Sequence, residues 1–343
     1  MTQLLRAVTR RIRIQYASDL HLEFGSGPPR LFPVAPILVL AGDIGNPCQS
    51  VYQDFLSDCG RAWEHVVVVA GNHEFYNKHA SDRWRYKAPD TVVDRLSTCR
   101  AAAITAGANV HFLERGRVDI GDLAFLGCTL WSDVSGSEEL VESRMSDYHV
   151  ICAEGGGANR KLRAADTLVW HRRDRTWLTE ELAACREEGR GAVVVTHHLP
   201  TFDLVASRWT GNPLNAGFAS SLDELIQEPV RAWICGHSHV GSIVFKGPDG
   251  SIPCVLNPRG YPGEVTTGFC GDIFVDVVTG AGPGADEREP ALVAAAETPM
   301  PDVSGCVPSP QRPAALSQSS EPAETLSDDD SESDTSPESV VFL

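Results

Sequence analysis

Apolar residues in this chain fall into short unbroken runs rather than long stripes. Val66 to Val69 sets four β-branched residues in a row before Ala70-Gly71-Asn72-His73-Glu74. A run of that length, with no polar residue alternating through it, predicts a strand buried on both faces. Ile37 to Leu40 leads in the same way into Gly42-Asp43, Ala192 to Thr196 into His197-His198, and Arg231 to Cys235 into Gly236-His237-Ser238-His239. Ile12, Ile14 and Tyr16 alternate with Arg13, Gln15 and Ala17, which predicts a first strand with one face more buried than the other, ending at Asp19-Leu20-His21. Val51 to Gly60 has the apolar spacing of a helix crossing back between strands. Successive βαβ units with right-handed crossovers bring parallel strand ends to one edge, and ligands bind at the carboxyl edge of such sheets.

The remaining patterns are coarser. Thr91 to about Ala106 and Asn159 to Cys185 read as helices, the second ended by Gly189 and Gly191, with Trp170 and Trp177 seven residues apart as core packing. Leu222 to Ile226 reads as another crossover helix. Val110 to Leu113 and Leu123 to Leu130 read as strands of a second sheet, which Ser242 to Phe245, Cys254 to Leu256 and Phe269 to Val277 complete in a largely antiparallel manner. Phe75 to Pro89 is an insert, and Thr201 to Ser220 is a polar segment suited to line one side of a cleft.

Composition sets bounds on partners. The formal charge of −17 is uneven: residues 281–343 hold 13 Asp or Glu against 2 Arg, or −11, which leaves −6 for the rest. A moderately acidic domain is a poor candidate for strong nucleic-acid binding, because that affinity comes from neutralising phosphates. No apolar run approaches the roughly 18 residues of a membrane span. The ten cysteines are scattered without a CxxC pair, which fits free thiols in a reducing compartment, the cytosol. Residues 1–11, with Arg6, Arg10 and Arg11, read as an untargeted leader, and residues 12–280 as one domain. Residues 281–343, rich in Pro, Ala, Ser and acids, read as a disordered acidic tail. Its serines ahead of acids suit phosphorylation, and protein binding is the other expectation for it.

Asp19-x-His21, Gly42-Asp43, Gly71-Asn72-His73-Glu74, His197 after a strand and Gly236-His237-Ser238-His239 occur together, in order, each at a strand end. In this the chain resembles the calcineurin-like metallophosphoesterase superfamily, from about Ile12 to about Val277. The resemblance implies a four-layer α/β/β/α sandwich of two mixed sheets. It also implies two divalent metal ions, for which Asp, Asn and His donors suit Mn, Fe, Zn, Co or Ni. Asp19, His21 and His239 would hold one and Asn72, His197 and His237 the other, with Asp43 bridging. The reaction implied is hydrolysis of a phosphodiester or phosphomonoester by a hydroxide shared between the metals. His73 would assist the leaving oxygen, while Glu74, His198 and Arg259 are candidate substrate contacts. Arg259 lies in Asn257-Pro258-Arg259-Gly260-Tyr261 and could equally sit solvated on a turn.

Departures from subfamily patterns narrow this. Ile44-Gly45-Asn46 follows Gly42-Asp43, so the tyrosine of purple acid phosphatases is missing, and with it the expectation of an iron(III) charge-transfer site. The arginines of protein Ser/Thr phosphatases are replaced by Cys48 and Ala70. A small phosphate ester is therefore the expected substrate, with a diester favoured. A nuclease would call for a basic stripe, and a noncatalytic scaffold for missing ligands; neither is found.

Overall fold

A computed structural model describes residues 10–77, 90–155, 158–264, 267–279 and 293–295. In chain order the elements are β1 (Arg10–Ala17), β2 (Ile37–Ala41), α1 (Ser50–Ala62), β3 (His65–Val69), α2 (Val92–Ala106), β4 (Val110–Leu113), β5 (Gly116–Ile120) and β6 (Leu123–Cys128). They continue with α3 (Glu138–Arg144), α4 (Asp147–Val150), the short β7 (Cys152–Ala153) and β8 (Arg160–Lys161), α5 (Ala164–Glu187), β9 (Gly191–Thr196), β10 (Val230–Cys235), β11 (Ser242–Lys246), β12 (Ile252–Leu256), β13 (Ile273–Thr279) and β14 (Val293–Ala295).

Two six-stranded sheets form, ordered β14-β13-β1-β2-β3-β4 and β11-β12-β10-β9-β6-β5. The unbroken apolar runs explain why they stack. Val67 and Val69 face the interior between the sheets, beside Val39 and Ala41 of one sheet and Val193, Val195, Ala232 and Ile234 of the other. Val66 and Val68 face outward against Tyr52, Phe55 and Leu56 of α1 and Ala102 and Ala103 of α2. The second sheet repeats the arrangement, with Ala192, Val194, Trp233 and Cys235 covered by Leu178, Leu182 and Cys185 of α5. With side chains alternating across each strand, both faces must be apolar, and the result is the expected α/β/β/α sandwich.

Several expectations need correction. Val110–Leu113 pairs in parallel with β3 and so belongs to the first sheet. The last long strand, Ile273–Thr279, pairs antiparallel with β1, also in the first sheet. The second sheet is parallel through β12-β10-β9-β6, and only its edge strands β11 and β5 run antiparallel. Leu222 to Ile226 contains only a 3-10 turn at Asp223–Leu225. Trp170 and Trp177 both pack on apolar clusters, but on different ones, Trp170 5.5 Å from Trp131 and Trp177 against the α5 side of the second sheet. Strand β1 starts at Arg10, inside the segment read as a leader. Most of the insert Phe75 to Pro89 and most of the tail 281–343 lie outside the described residues; Val293–Ala295 pairs antiparallel with β13. Among the described residues the cysteines are free thiols, and no helix is long and apolar enough to cross a membrane.

Candidate metal centre

Strands β1, β2, β3, β9 and β10 end at one edge of the sandwich, and each delivers polar side chains there. The turns beyond them are tight. Asp19, His21, Asp43, His237 and His239 all have left-handed backbones, with φ between 47° and 74°. Such conformations cost about 1–3 kcal/mol each in a non-glycine residue and persist only where the surroundings impose them. Two glycines make the crowding possible. A Cβ on Gly71 would lie 2.2 Å from Asp43 Oδ1, and one on Gly236 would lie 2.7 Å from Asp19 Oδ2.

The donors form two clusters that share one carboxylate. Donor atoms of Asp19, His21, Asp43 and His239 lie within 4.8 Å of one another, as do those of Asp43, His197 and His237. Asn72 joins the second, its Oδ1 3.0 Å from His197 Nε2. All seven residues proposed as ligands are therefore in one place, although they span the chain from Asp19 to His239. A third group, His21, Glu23 and His73, adjoins them.

The hydrogen bonds around these residues decide which nitrogen faces inward. His21 Nδ1 meets Glu23 Oε1 at 3.3 Å, His239 Nδ1 meets Glu264 Oε2 at 2.8 Å, and His197 Nδ1 meets the Ala41 carbonyl at 2.9 Å. Each partner only accepts, so each Nδ1 carries a proton and each Nε2 is the atom turned inward. Asn72 Nδ2 donates to Asp147 at 2.8 Å, which turns its amide oxygen inward as well. The inward nitrogens crowd one another and the carboxylates: His21 Nε2 and His239 Nε2 are 3.0 Å apart, His197 Nε2 faces Asp43 Oδ2 at 3.4 Å, and buried His237 Nε2 has no partner among the described residues. A divalent cation among them would satisfy the inward atoms, so the residues fit the metals that the resemblance implies.

The electrostatics agree. Burial lowers the proton affinity of His239 and His197, but Asp19, Glu264 and Asp43 outweigh it and push their pKa values up to about 10 and 9. The field that favours a proton on these imidazoles would favour a metal cation in its place. His237, buried and facing the other imidazoles, is pushed down to about 3 and presents a neutral ring. Burial opposes ionisation of Asp43, but the positive field of His197 and His73 holds its carboxyl well below the usual carboxylate range.

His73 is beside the clusters rather than in them. Its Nδ1 meets Glu23 Oε1 at 2.9 Å, its Nε2 meets the Tyr261 hydroxyl at 2.9 Å, and its ring stacks on Tyr76 at 4.0 Å. Burial disfavours its charged form, yet Asp43 and Glu23 raise its pKa overall.

The three candidate substrate contacts are placed otherwise than expected. Glu74 is fully buried and accepts from the backbone N–H groups of Asp43, Ile44, Gly45 and Gly71, so it braces two site loops and does not reach a substrate. Arg259 donates to the Leu20 and Gly27 carbonyls, which ties it to a loop instead of the cleft. His198 is buried, with Nδ1 on Ser132 Oγ at 2.8 Å and its ring stacked 4.2 Å from His237. It backs the site from below.

The sequence reading missed Glu23, Asp147, Tyr261 and Glu264. Glu23 follows His21 by the same two-residue step that separates Asp19 from His21, and Tyr261 lies two residues past Arg259; those spacings were the available signals. Asp147 had no local signal, since only folding carries α4 to Asn72.

The chain is similar to known proteins across most of its length. An uncharacterised protein of Acanthamoeba polyphaga mimivirus is 26% identical over 277 residues, covering 73% of this chain and 92% of the relative. Among solved structures it resembles the phosphopantetheinyl hydrolase of Mycobacterium tuberculosis, with 17% identity, TM-score 0.48, and coverage of 73% of this chain and 89% of that one. A dimetal phosphatase from Danio rerio gives 14% identity, TM-score 0.43, and coverage of 83% and 98%. Residues 18–241, which hold every donor described above, match the calcineurin-like phosphoesterase family. The chain belongs to the calcineurin-like phosphoesterase family.

Proposed function

We propose that the protein is a two-metal phosphoesterase that hydrolyses a small-molecule phosphodiester in preference to a dianionic monoester. The observation that carries this reading is the pair of donor clusters sharing Asp43, with His21, His197 and His239 each turning Nε2 inward. Asp19, His21 and His239 would hold one cation, Asn72, His197 and His237 the other, and Asp43 both. When bound, such a pair supplies Lewis acidity towards water and phosphoryl oxygens and neutralises charge as it develops.

The protein's own groups then have separate tasks. Glu23 orients the His73 ring, and His73 Nε2, now facing the Tyr261 hydroxyl, is the atom that would carry a proton to the departing alkoxide. Glu264 and Ala41 keep His239 and His197 in the donor tautomer. Asp147 keeps the Asn72 amide turned.

Charge supports the diester. Glu23, Asp147 and Glu264 ring the clusters, and Arg259 is occupied by loop carbonyls. The cations that line the adjoining cavities are Arg144 and Arg208, both on exposed walls. A dianion brings one more negative charge into these surroundings than a diester does.

Two measurements test the reading. Asp43→Ala should lose both metals by elemental analysis of the purified protein; two metals retained at normal affinity would refute the assignment. A matched pair of aryl monoester and diester, at one pH and with one metal, should favour the diester in kcat/KM. A monoester advantage of tenfold, about 1.4 kcal/mol, would reverse the preference and point to Arg144 as the phosphate clamp.

A further inference from the structure

The turns between Thr201 and Ser220 line a cleft beside the donor clusters, and His237 and His239 lie in its wall together with Trp209, Leu214 and Phe218. One ligand can therefore touch the metal centre and this cleft at once. Phe218 is a fixed wall, stacked on His237 at 4.6 Å, and His237 is in turn stacked on His198. Trp209 is half-buried at the end of a 3-10 turn, its carbonyl accepting from the Asn212 N–H and from Asn215 Nδ2. Its indole N–H makes no hydrogen bond among the described residues, and Arg208 lies over the ring, 5.6 Å from its centroid.

Two amides complete the lining. Asn212 uses its oxygen to accept from the Leu214 N–H, and Asn215 uses its nitrogen on Trp209. Each keeps its other half unengaged among the described residues: a donor on Asn212 and an acceptor on Asn215. A wall of aromatic faces with one free donor and one free acceptor complements a planar group that has both at its edge. A hydrocarbon chain would use neither amide and gain little from the indole face.

We propose that this cleft is the subsite for the organic component of the ester, and that it takes a planar heteroaromatic group such as a nucleobase, stacked on Trp209. The proposal rests on the phosphoesterase reading above and names its substrate class: phosphate esters of nucleoside-like alcohols.

The test compares ligands that differ only in the planar group. Binding of the methyl diesters of adenosine 5′-phosphate and of ribose 5-phosphate, each a monoanion, to the metal-loaded full-length protein is measured by titration calorimetry. The adenosine diester should bind at least about tenfold more tightly. Trp209→Ala should bring that ratio to within about threefold of one, while Trp209→Phe, which keeps an aromatic face, should retain most of it. Equal binding of the two ligands by the wild type, or an unchanged ratio in Trp209→Ala, overturns the proposal. If neither diester binds, turnover of aryl phosphate esters decides the phosphoesterase reading, which fails if none is hydrolysed. The cleft is then judged by adenosine against ribose, where equal binding overturns it in turn.

Discussion

At the scale of single residues, the proposed function separates groups that would hold a metal from groups that would orient and protonate. His73 meets Glu23 and Tyr261, so His73→Ala should keep the metals and lose turnover by about 10² to 10⁴, the usual range for general acid assistance. Elemental analysis beside kcat decides it, and a variant that lost metal would make His73 a ligand. A second residue-scale prediction concerns Asp174, buried on α5, which accepts from Arg115 at 2.7 Å and from the Leu130 N–H at 3.0 Å. Burial and the neighbouring Glu114 carboxylate outweigh Arg115 and raise its pKa from 3.8 to about 7. For an acid shifted upward, the folded state holds the proton longer than the unfolded one. Its stabilising contribution is present below about pH 4 and is lost as pH rises towards 7. Asp174→Asn should remove that dependence, so the melting temperature of the variant relative to wild type should rise between pH 4.5 and 7. Parallel curves would show that Asp174 is ionised without cost.

At the scale of elements, helices and strands had to be brought to the site edge in register, and some of the devices that do so are local. Helix α2 begins with a capping box: the Thr91 hydroxyl oxygen accepts from the Asp94 N–H at 3.2 Å, and the Asp94 carboxylate accepts from the Thr91 N–H at 2.8 Å. Thr91→Ala should cost about 1 kcal/mol in urea unfolding, within the usual 0.5–2 kcal/mol for a lost cap, and Thr91→Ser should restore most of it. An unchanged midpoint would mean that packing of α2 alone sets its start. The elements that periodicity misplaced share a cause. Val110–Leu113 and Ile273–Thr279 have the composition of strands, but which sheet receives a strand depends on partners far away in sequence, here β3 and β1. The two short helices α3 and α4 were not anticipated at all, because four to seven residues are too few for a period to register.

At the scale of the whole molecule, the centre joins the two sheets: Asp19, His21, Asp43 and Asn72 come from the ends of the first, and His197, His237 and His239 from the ends of the second. A bound metal therefore ties the sheets together and stabilises the native state by mass action, by about 2.7 kcal/mol at a hundredfold excess over Kd. Chelation should lower the melting temperature by several degrees, and Mn, Zn or Co should restore it. A melting temperature indifferent to both treatments would contradict metal binding at this edge. The primary sequence by itself marked the buried strands and the polar motifs at their ends, because strands buried on both faces must read as unbroken apolar runs and because Gly71 and Gly236 stand beside polar residues where the chain must turn, while the sandwich and the candidate donor set followed from the resemblance those motifs carry. Only the tertiary structure decided which sheet took β4 and β13, that Glu74 and Arg259 serve the loops, and that Glu23, Asp147, Tyr261 and Glu264 surround the donors. Their roles come from hydrogen bonds and ring contacts across the fold, many between residues far apart in the chain, and local spacing carries no record of such contacts.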